Sequence, residues 1–263
     1  MFDFSRGIKF LSYTLFSGHK RGAGIHSPFV YDLIVDVLNG PVDKSEFLEI
    51  EKLRKDLGRR KEKVYYKDPG AGSRIKRKDP KSIARIVKTS STKSKYGELL
   101  YKLVRKFKPE NILELGTSLG LGSMYLAKGN SNSQVYTIEG VEPLYKLARQ
   151  NFEMIGFKNI HIYHDLFSDG LPKLLEKVVK FDMVYFDGHH SYDHTWQYFK
   201  SCIPKVTNET IFIFDDIHWS AGMERLWSRV IRDERVAVSI DLFQLGLVFF
   251  RKELSKQHFV VKY

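Results

Sequence analysis

Cysteine is nearly absent from this 263-residue chain: Cys202 is the only one. One thiol allows no internal disulfide and no cysteine-based zinc cluster, and it suits a reducing, cytoplasmic compartment. Long apolar runs are missing too. The nearest approach is Val236 to Phe250, which Asp241 and Gln244 interrupt, short of the ~18 apolar residues that a membrane helix needs. The first 21 residues lack a clean apolar stretch and a small-residue cleavage site, so they read as mature protein and not as a signal peptide. No internal repeat is visible. With 43% hydrophobic and 14% aromatic residues the chain is neither disordered nor collagen-like.

Acidic residues are the scarcer charge: 31 Asp and Glu stand against 43 Lys and Arg, a net of +12. The imbalance is local. Residues 51–110 hold 21 basic and seven acidic residues, while the segments on either side are each close to neutral. The densest part runs from Arg59 to Lys63, then through Lys67 to Arg74, Lys76, Arg77 and Lys78. Such a patch suits an anionic partner: nucleic acid, a lipid headgroup or a phosphorylated metabolite. A solvated basic loop explains it equally well. Only Tyr65 and Tyr66 interleave with the cations, which is thin for stacking single-stranded bases.

Residues 1–95 read as helices and a loop. Phe4, Ile8, Leu11 and Leu15 follow helical spacing. Ser27-Pro28 is an N-cap and first-turn pair, and Val30, Leu33, Ile34 and Val37 form one stripe that Asn39-Gly40-Pro41 stops. A third helix is expected over Ser45–Leu57, and Asp79-Pro80 should open a short one carrying Ile83, Ile86 and Val87. His26 reads as a helix-entry residue. From residue 96 the pattern changes. Five short apolar runs, Ile112–Leu115, Val135–Ile138, Ile160–Tyr163, Met183–Phe186 and Ile211–Phe214, alternate with helical stretches. Near-continuous apolar strands separated by helices predict a parallel sheet covered on both faces. After a helix over Met223–Asp233, Val236–Phe243 and Gly246–Arg251 lie too close for a crossover and should pair as an antiparallel hairpin. The tail His258–Tyr263 is a candidate further edge strand. The organisation expected is a helical and basic extension over 1–95 and an α/β domain over 96–263.

Two constellations carry chemistry. The first is Glu114-x-Gly116-x-Ser118-x-Gly120, where the first strand meets its helix. Its glycines allow a tight turn and close approach of a ligand to the backbone. Glu139 ends the next strand, where a carboxylate can accept hydrogen bonds from both ribose hydroxyls of an adenosine cofactor. The dinucleotide pattern fails, because position 125 is Tyr125 where glycine or alanine is needed. The second constellation is Asp187-Gly-His-His190 after the fourth strand and Asp215-Asp216 after the fifth. Their carboxylates fall at the carboxyl ends of parallel strands and suit a hard divalent cation. An imidazole such as that of His190 suits proton abstraction at neutral pH. A histidine metal site on His189 and His194 lacks any partner at zinc spacing. His218 and Trp219 are candidate pocket walls.

Together these features resemble motif I and the strand order of class I S-adenosylmethionine-dependent methyltransferases. The second constellation resembles the cation-dependent O-methyltransferases of the catechol and caffeoyl-coenzyme A type, and also a wider group of bacterial methyltransferase domains. The resemblance implies a Rossmann-like, seven-stranded, mostly parallel sheet of order 3-2-1-4-5-7-6. It implies S-adenosylmethionine held by Glu114, Gly116, Ser118, Gly120, Glu139, Asp165, Leu166 and Asp187, with Phe167 beside the adenine. It implies Asp187, Asp215 and Asp216 as ligands of Mg²⁺ or another divalent cation, and His190 with Asp187 as the catalytic pair. Here Asp216 stands where that group has Asn, and His190 where it has a Lys base. The expected activity is methyl transfer to a hydroxyl oxygen of a small or anionic acceptor. The amino-directed Pro-Pro-Tyr loop is missing, and Cys202 lies in a helix, which disfavours nitrogen and cytosine-carbon acceptors. The alternative is a nucleic-acid-binding protein or nucleic-acid methyltransferase using residues 51–110. A homodimer is compatible with either reading.

Overall fold

The structure is a computed structural model that describes residues 7, 10–11, 13–15, 17–19, 21–65 and 80–263. The helical spacing assigned to Phe4 and Ile8 and the basic stretch from Lys67 to Lys78 lie outside the described residues. In chain order the elements are α1 (Pro28–Asp32), a π-helical turn (Leu33–Leu38), a 3₁₀ turn (Lys44–Phe47), α2 (Leu48–Leu57), β1 (Lys63–Val64), β2 (Lys81–Ser82), α3 (Ile83–Ser90) and α4 (Ser94–Phe107). There follow β3 (Asn111–Leu115), α5 (Leu121–Gly129), β4 (Gln134–Glu139), α6 (Glu142–Ile155), β5 (Ile160–His164), α7 (Phe167–Lys177) and β6 (Met183–Phe186). The chain ends with α8 (Tyr192–Cys202), β7 (Ile211–Asp215), α9 (Ala221–Val230), β8 (Val238–Asp241), β9 (Leu245–Phe249) and β10 (Gln257–Val260).

The main sheet has eight strands in the order β10-β8-β9-β7-β6-β3-β4-β5. The expected seven-strand order lies within it. The count is corrected from seven to eight because the tail adds β10, which pairs parallel to β8 with Gln257 opposite Val238. The hairpin is as expected: β8 and β9 are antiparallel, and β9 runs antiparallel to β7. Smaller differences lie at helix starts. The third helix opens as a 3₁₀ turn because the Asp43 side chain accepts the Ser45 N–H and tightens the entry. The short helix after it starts at Ile83, and its N-cap is Ser82, whose hydroxyl accepts the Arg85 N–H.

The chain forms two compact units, Val42–Phe181 and Met1–Pro41 with Asp182–Tyr263. In the first, β3, β4 and β5 are parallel, with Ile112 opposite Val135 and Val135 opposite Ile160. β3 is buried from Ile112 to Leu115, whereas β5, the last strand of the sheet, is only half-buried. A cluster of Phe47, Ile50, Leu53, Tyr101, Leu121, Tyr125, Ala148 and Phe152 packs α2, α4, α5 and α6 together. Gly97 lets α4 approach α5: a Cβ there would lie 2.4 Å from the Tyr125 ring.

In the second unit β6 and β7 are parallel and buried throughout, apart from the partly exposed Asp215 that ends β7. Phe186 and Phe214 stack with centroids 4.5 Å apart and planes 4° from parallel, fixing the two strand ends side by side. The predicted stripe is core, with Val30, Leu33, Ile34 and Val37 all buried. Phe29 meets Phe249 edge to face at 5.0 Å. Gly18 bridges to Val261, and Tyr13 donates from its hydroxyl to the Val261 carbonyl, so an N-terminal segment covers the outer flank of the tail.

The Gly97 contact yields a test. Replacing Gly97 by Val forces the Tyr125 ring out of its place and disturbs the Tyr125 hydroxyl bond to Glu51. Overpacking of this kind costs about 1–3 kcal/mol, against which valine's helix propensity returns only a few tenths. Thermal unfolding should show Gly97→Val clearly destabilised; an unchanged midpoint would mean the α4–α5 contact is not as tight as described.

Candidate active site

The turn after β3 is held from several sides. Gly116 has φ +114°, Ser118 +51° and Gly120 +82°. At Gly120 a side chain is excluded twice over, by that φ and by the Phe152 ring, which a Cβ would meet at 2.4 Å. The buried Asn151 side chain donates to the Leu119 carbonyl at 3.0 Å. Glu139, at the end of β4, accepts the Ser118 N–H on one oxygen and the Val141 N–H on the other, each at 2.8 Å. The carboxylate is buried at 7% exposure, so it braces the loop as well as presenting charge to it. The Ser118 hydroxyl is buried with no partner among the described residues. An orphaned hydroxyl of that kind, beside a fixed carboxylate and an open glycine turn, fits a polar ligand group in the loop.

Glu114 lies beneath this turn, fully buried. Ser123 donates to it from α5, and burial pushes its pKa up to about 7, with the Glu139 charge adding to the rise while Ser123 and Thr137 oppose it. Gly122 leaves room for it, since a Cβ there would sit 3.0 Å from the Glu114 Oε1 and 2.7 Å from the Thr92 Oγ1. Thr92, at the entry to α4, is thus brought to the same turn, and no motif in the sequence singled it out. Asp165 follows β5 and is already engaged: it accepts the Leu166 N–H at 3.1 Å and pairs with Lys173 at 2.6 Å. Leu166 caps the start of α7 and is 43% exposed. These residues all belong to the Val42–Phe181 unit.

Asp187, His190, Asp215 and Asp216 belong to the other. One ligand atom each from Asp187, His190 and Asp215 lies within 4.8 Å of the others. His190 Nε2 is 3.7 Å from Asp187 Oδ1. Asp216 is not one of that trio. Its backbone takes φ +55°, and its carboxylate accepts from Gln244 Nε2 at 2.6 Å. The same amide donates to Asp215 at 3.0 Å. Burial raises the Asp215 pKa and the neighbouring Asp216 charge adds to it, while His190, Asp187 and Gln244 pull the other way. The donor set of two carboxylates and one imidazole within a few ångström fits a divalent cation. Gln244 was legible only as a polar interruption of the apolar Val236 to Phe250 run.

The loop that carries His190 is itself unusual, with His189 at φ +63° and His190 at +34°. His189 bonds the Tyr198 hydroxyl at 2.7 Å, which leaves His190 as the histidine beside the carboxylates. His194 bonds Ser191 at 2.9 Å. His218, expected in a pocket wall, is clamped by Asp241 at 2.7 Å and stacks on Phe243. Burial disfavours its charged form, but Asp241 and Glu224 outweigh that and hold its pKa above the ordinary range. Trp219 is 53% exposed.

Residues 113–217 match a family model described as a methyltransferase domain. That span holds β3 to β7 and both constellations. The chain aligns over 63 residues, at 40% identity, with a protein-L-isoaspartate O-methyltransferase from Methanococcoides burtonii. That alignment covers 24% of this chain and 31% of the relative, so the chain spans about a third of the curated protein it matches. Among solved structures, an O-methyltransferase from Bacillus cereus in complex with S-adenosylhomocysteine superposes with a TM-score of 0.56 at 20% identity, over 84% of this chain and 97% of that one. The S-adenosylhomocysteine-bound methyltransferase PaMTH1 from Podospora anserina gives 0.56 at 12% identity, over 81% and 98%. The O-methyltransferase TomG from Streptomyces achromogenes, in complex with S-adenosylmethionine, gives 0.53 at 20%, over 62% and 82%. The fold is therefore that of the Rossmann-like class I methyltransferases. None of these relatives carries the nucleic-acid reading. No described helix is long and apolar enough to cross a membrane.

The neutral carboxyl of Glu114 makes the stability of the fold depend on pH. In the folded chain it keeps its proton up to about pH 7, against an ordinary value of 4.5. A raised folded pKa contributes stability that is complete below the unfolded value and is lost as pH rises through the folded one. At ~1.4 kcal/mol per unit the loss between pH 4.5 and 7 is about 3 kcal/mol. Glu114→Gln keeps an acceptor for Ser123 and removes the titration. Urea unfolding at pH 5 and pH 8 should show the variant gaining about 2–3 kcal/mol on the parent at the higher pH; parallel pH profiles would show that Glu114 is charged throughout.

Proposed function

We propose that the protein is an S-adenosylmethionine-dependent methyltransferase acting on a hydroxyl oxygen of a small or anionic acceptor. The observation that carries this reading is the trio Asp187, His190 and Asp215 at the ends of two adjacent parallel strands of a methyltransferase domain. An imidazole 3.7 Å from a carboxylate is a base whose protonated form has a counter-charge waiting. A thiolate or an amino-directed loop is not what this site offers.

In this reading the turn over Gly116, Ser118 and Gly120 cradles the cofactor, and Glu139 binds its ribose. Glu114 supports the turn from below as a neutral hydrogen-bonding group. Asp165 and Leu166 lie at the adenine end, where Asp165 has to share itself with Lys173. Asp187 is assigned to the catalytic trio before any contact with the cofactor. Bound S-adenosylmethionine supplies an electrophilic methyl group on sulfonium. The chain's own part is to orient the acceptor oxygen and to take its proton on His190, with Asp187 stabilising the imidazolium that results. A divalent cation such as Mg²⁺ or Mn²⁺ would be held by Asp187 and Asp215, with Asp216 within reach of the same amide donor, and would lower the acceptor's pKa. Residues 1–95 serve acceptor access, and residues 96–263 carry the transfer.

Two measurements test the reading. Glu139→Ala removes charge-assisted hydrogen bonds worth roughly 1.5–3 kcal/mol each. Calorimetry with S-adenosylhomocysteine should show affinity falling about a hundredfold, at ~1.4 kcal/mol per tenfold. Because Glu139 also braces Ser118 and Val141, Glu139→Gln should fall less than Glu139→Ala. Equal affinity in all three chains takes Glu139 out of the site. His190→Ala should cost about 10²–10⁴ in turnover, the range of a general base, with S-adenosylhomocysteine affinity unchanged. A rate that survives the change, on any acceptor that the parent methylates, assigns the proton transfer elsewhere.

A further inference from the structure

Helices α8 and α9 enclose a surface groove of about 810 Å³ that the methyl-transfer reading does not use. Tyr192, Asp193, Glu224, Arg225, Arg229 and Arg232 line most of it. The three arginines recur at i, i+4 and i+7, so they share one face of α9 and its exit and span about 10 Å at 1.5 Å per residue. All three are exposed. Among the described residues none of them has a carboxylate partner, although this chain pairs many of its other arginines: Arg54, Arg59, Arg60, Arg149, Arg235 and Arg251 all do so. Two of them, Arg225 and Arg229, are instead set against aromatic rings. The Arg229 guanidinium lies 3.9 Å from the Trp196 centroid and donates to the Tyr192 hydroxyl at 2.7 Å. Arg225 lies 5.8 Å from the Tyr192 ring. Of the two acids in the groove, Glu224 is turned toward His218, 3.4 Å away.

Guanidinium groups held on aromatic faces keep their in-plane N–H donors free, and those donors match the oxygens of phosphate in pairs. A row of three exposed guanidinium groups, two of them held on rings and none with an acidic partner, is an electrostatic site for a chain of negative charges, not for a single carboxylate. We propose that this groove is a binding site for a polyphosphate group, with Arg225, Arg229 and Arg232 each taking phosphate oxygens and Tyr192 forming an apolar wall at one end. The ligand class is a molecule carrying two or more linked phosphates. This site is distinct from the Asp187, His190 and Asp215 trio and does not depend on methyl transfer.

The test is calorimetry on the full chain with inorganic tripolyphosphate at ~0.05 and ~0.15 M salt. The parent should bind, with affinity falling as salt rises. Arg225→Gln/Arg229→Gln/Arg232→Gln should weaken binding at least tenfold. The double variant Arg225→Gln/Arg232→Gln leaves the Arg229–Trp196 stack in place and should weaken it by an intermediate factor. A chain with Lys76, Arg77 and Lys78 changed to Gln should bind within twofold of the parent. Adenosine triphosphate, run beside tripolyphosphate, distinguishes the source: tighter binding of the nucleotide places an organic phosphate against Tyr192, and equal binding assigns the site to the phosphate chain alone. Absence of binding at millimolar tripolyphosphate, or loss confined to the Lys76, Arg77 and Lys78 variant, overturns the proposal. S-adenosylhomocysteine titrated into the same preparations keeps the two readings apart, since its binding stands or falls independently of the groove.

Discussion

One carboxylate ties the turn after β3 to the start of α6. Glu139 accepts a backbone N–H from the turn after β3 on one oxygen and another from the start of α6 on the other. Two neighbouring strands thus deliver their exits to a single charged group. Such bonds to a buried ion are strong because no water competes for them. The positive φ of Ser118 is affordable only because that N–H has a fixed acceptor. Glu114 follows from the same arrangement: with a charged Glu139 nearby and no water, the second carboxyl is left neutral.

Much of the fold was legible in the sequence because its strands are nearly continuous apolar runs. All five parallel strands fall within a residue or two of those runs, and the hairpin follows from the short distance between Phe243 and Gly246. What periodicity cannot supply is the fine entry of helices. Whether a turn is 3₁₀ or α at Lys44 is decided by one Asp43 side chain, and the start of α3 by Ser82. The eighth strand was legible only as a candidate, since an isolated tail of six residues carries no information about its partner.

The candidate site was readable to different depths. Asp187, His190 and Asp215 come together because strand ends in a parallel sheet project to one edge, a rule that needs only the strand positions. Asp216 was expected with them, but it lies past the end of β7 with φ +55° and is not one of the trio. Gln244 then draws both Asp215 and Asp216 to one amide from a hairpin that is remote in sequence. The two polar interruptions of the last apolar run prove to have partners: Asp241 holds His218 and Gln244 holds the aspartates. Polar residues within an otherwise buried hairpin are costly unless satisfied, which makes such interruptions worth tracing. Thr92 left no such sign, because a threonine before a helix is ordinary.

Ser118, His189, His190 and Asp216 share a backbone property that matters beyond their side chains. All four are non-glycine residues with positive φ, and all four lie on the loops that follow strands β3, β6 and β7. Each such residue stores on the order of 1 kcal/mol or more of conformational strain. The rest of the chain holds that strain in place with stacked Phe186 and Phe214 and with the buried bonds of Glu139 and Gln244. Glycine at these four positions relaxes the backbone and removes the hydroxyl, imidazole and carboxylate groups together. The loops after β3, β6 and β7 therefore carry side chains at positions where glycine would be the unstrained choice.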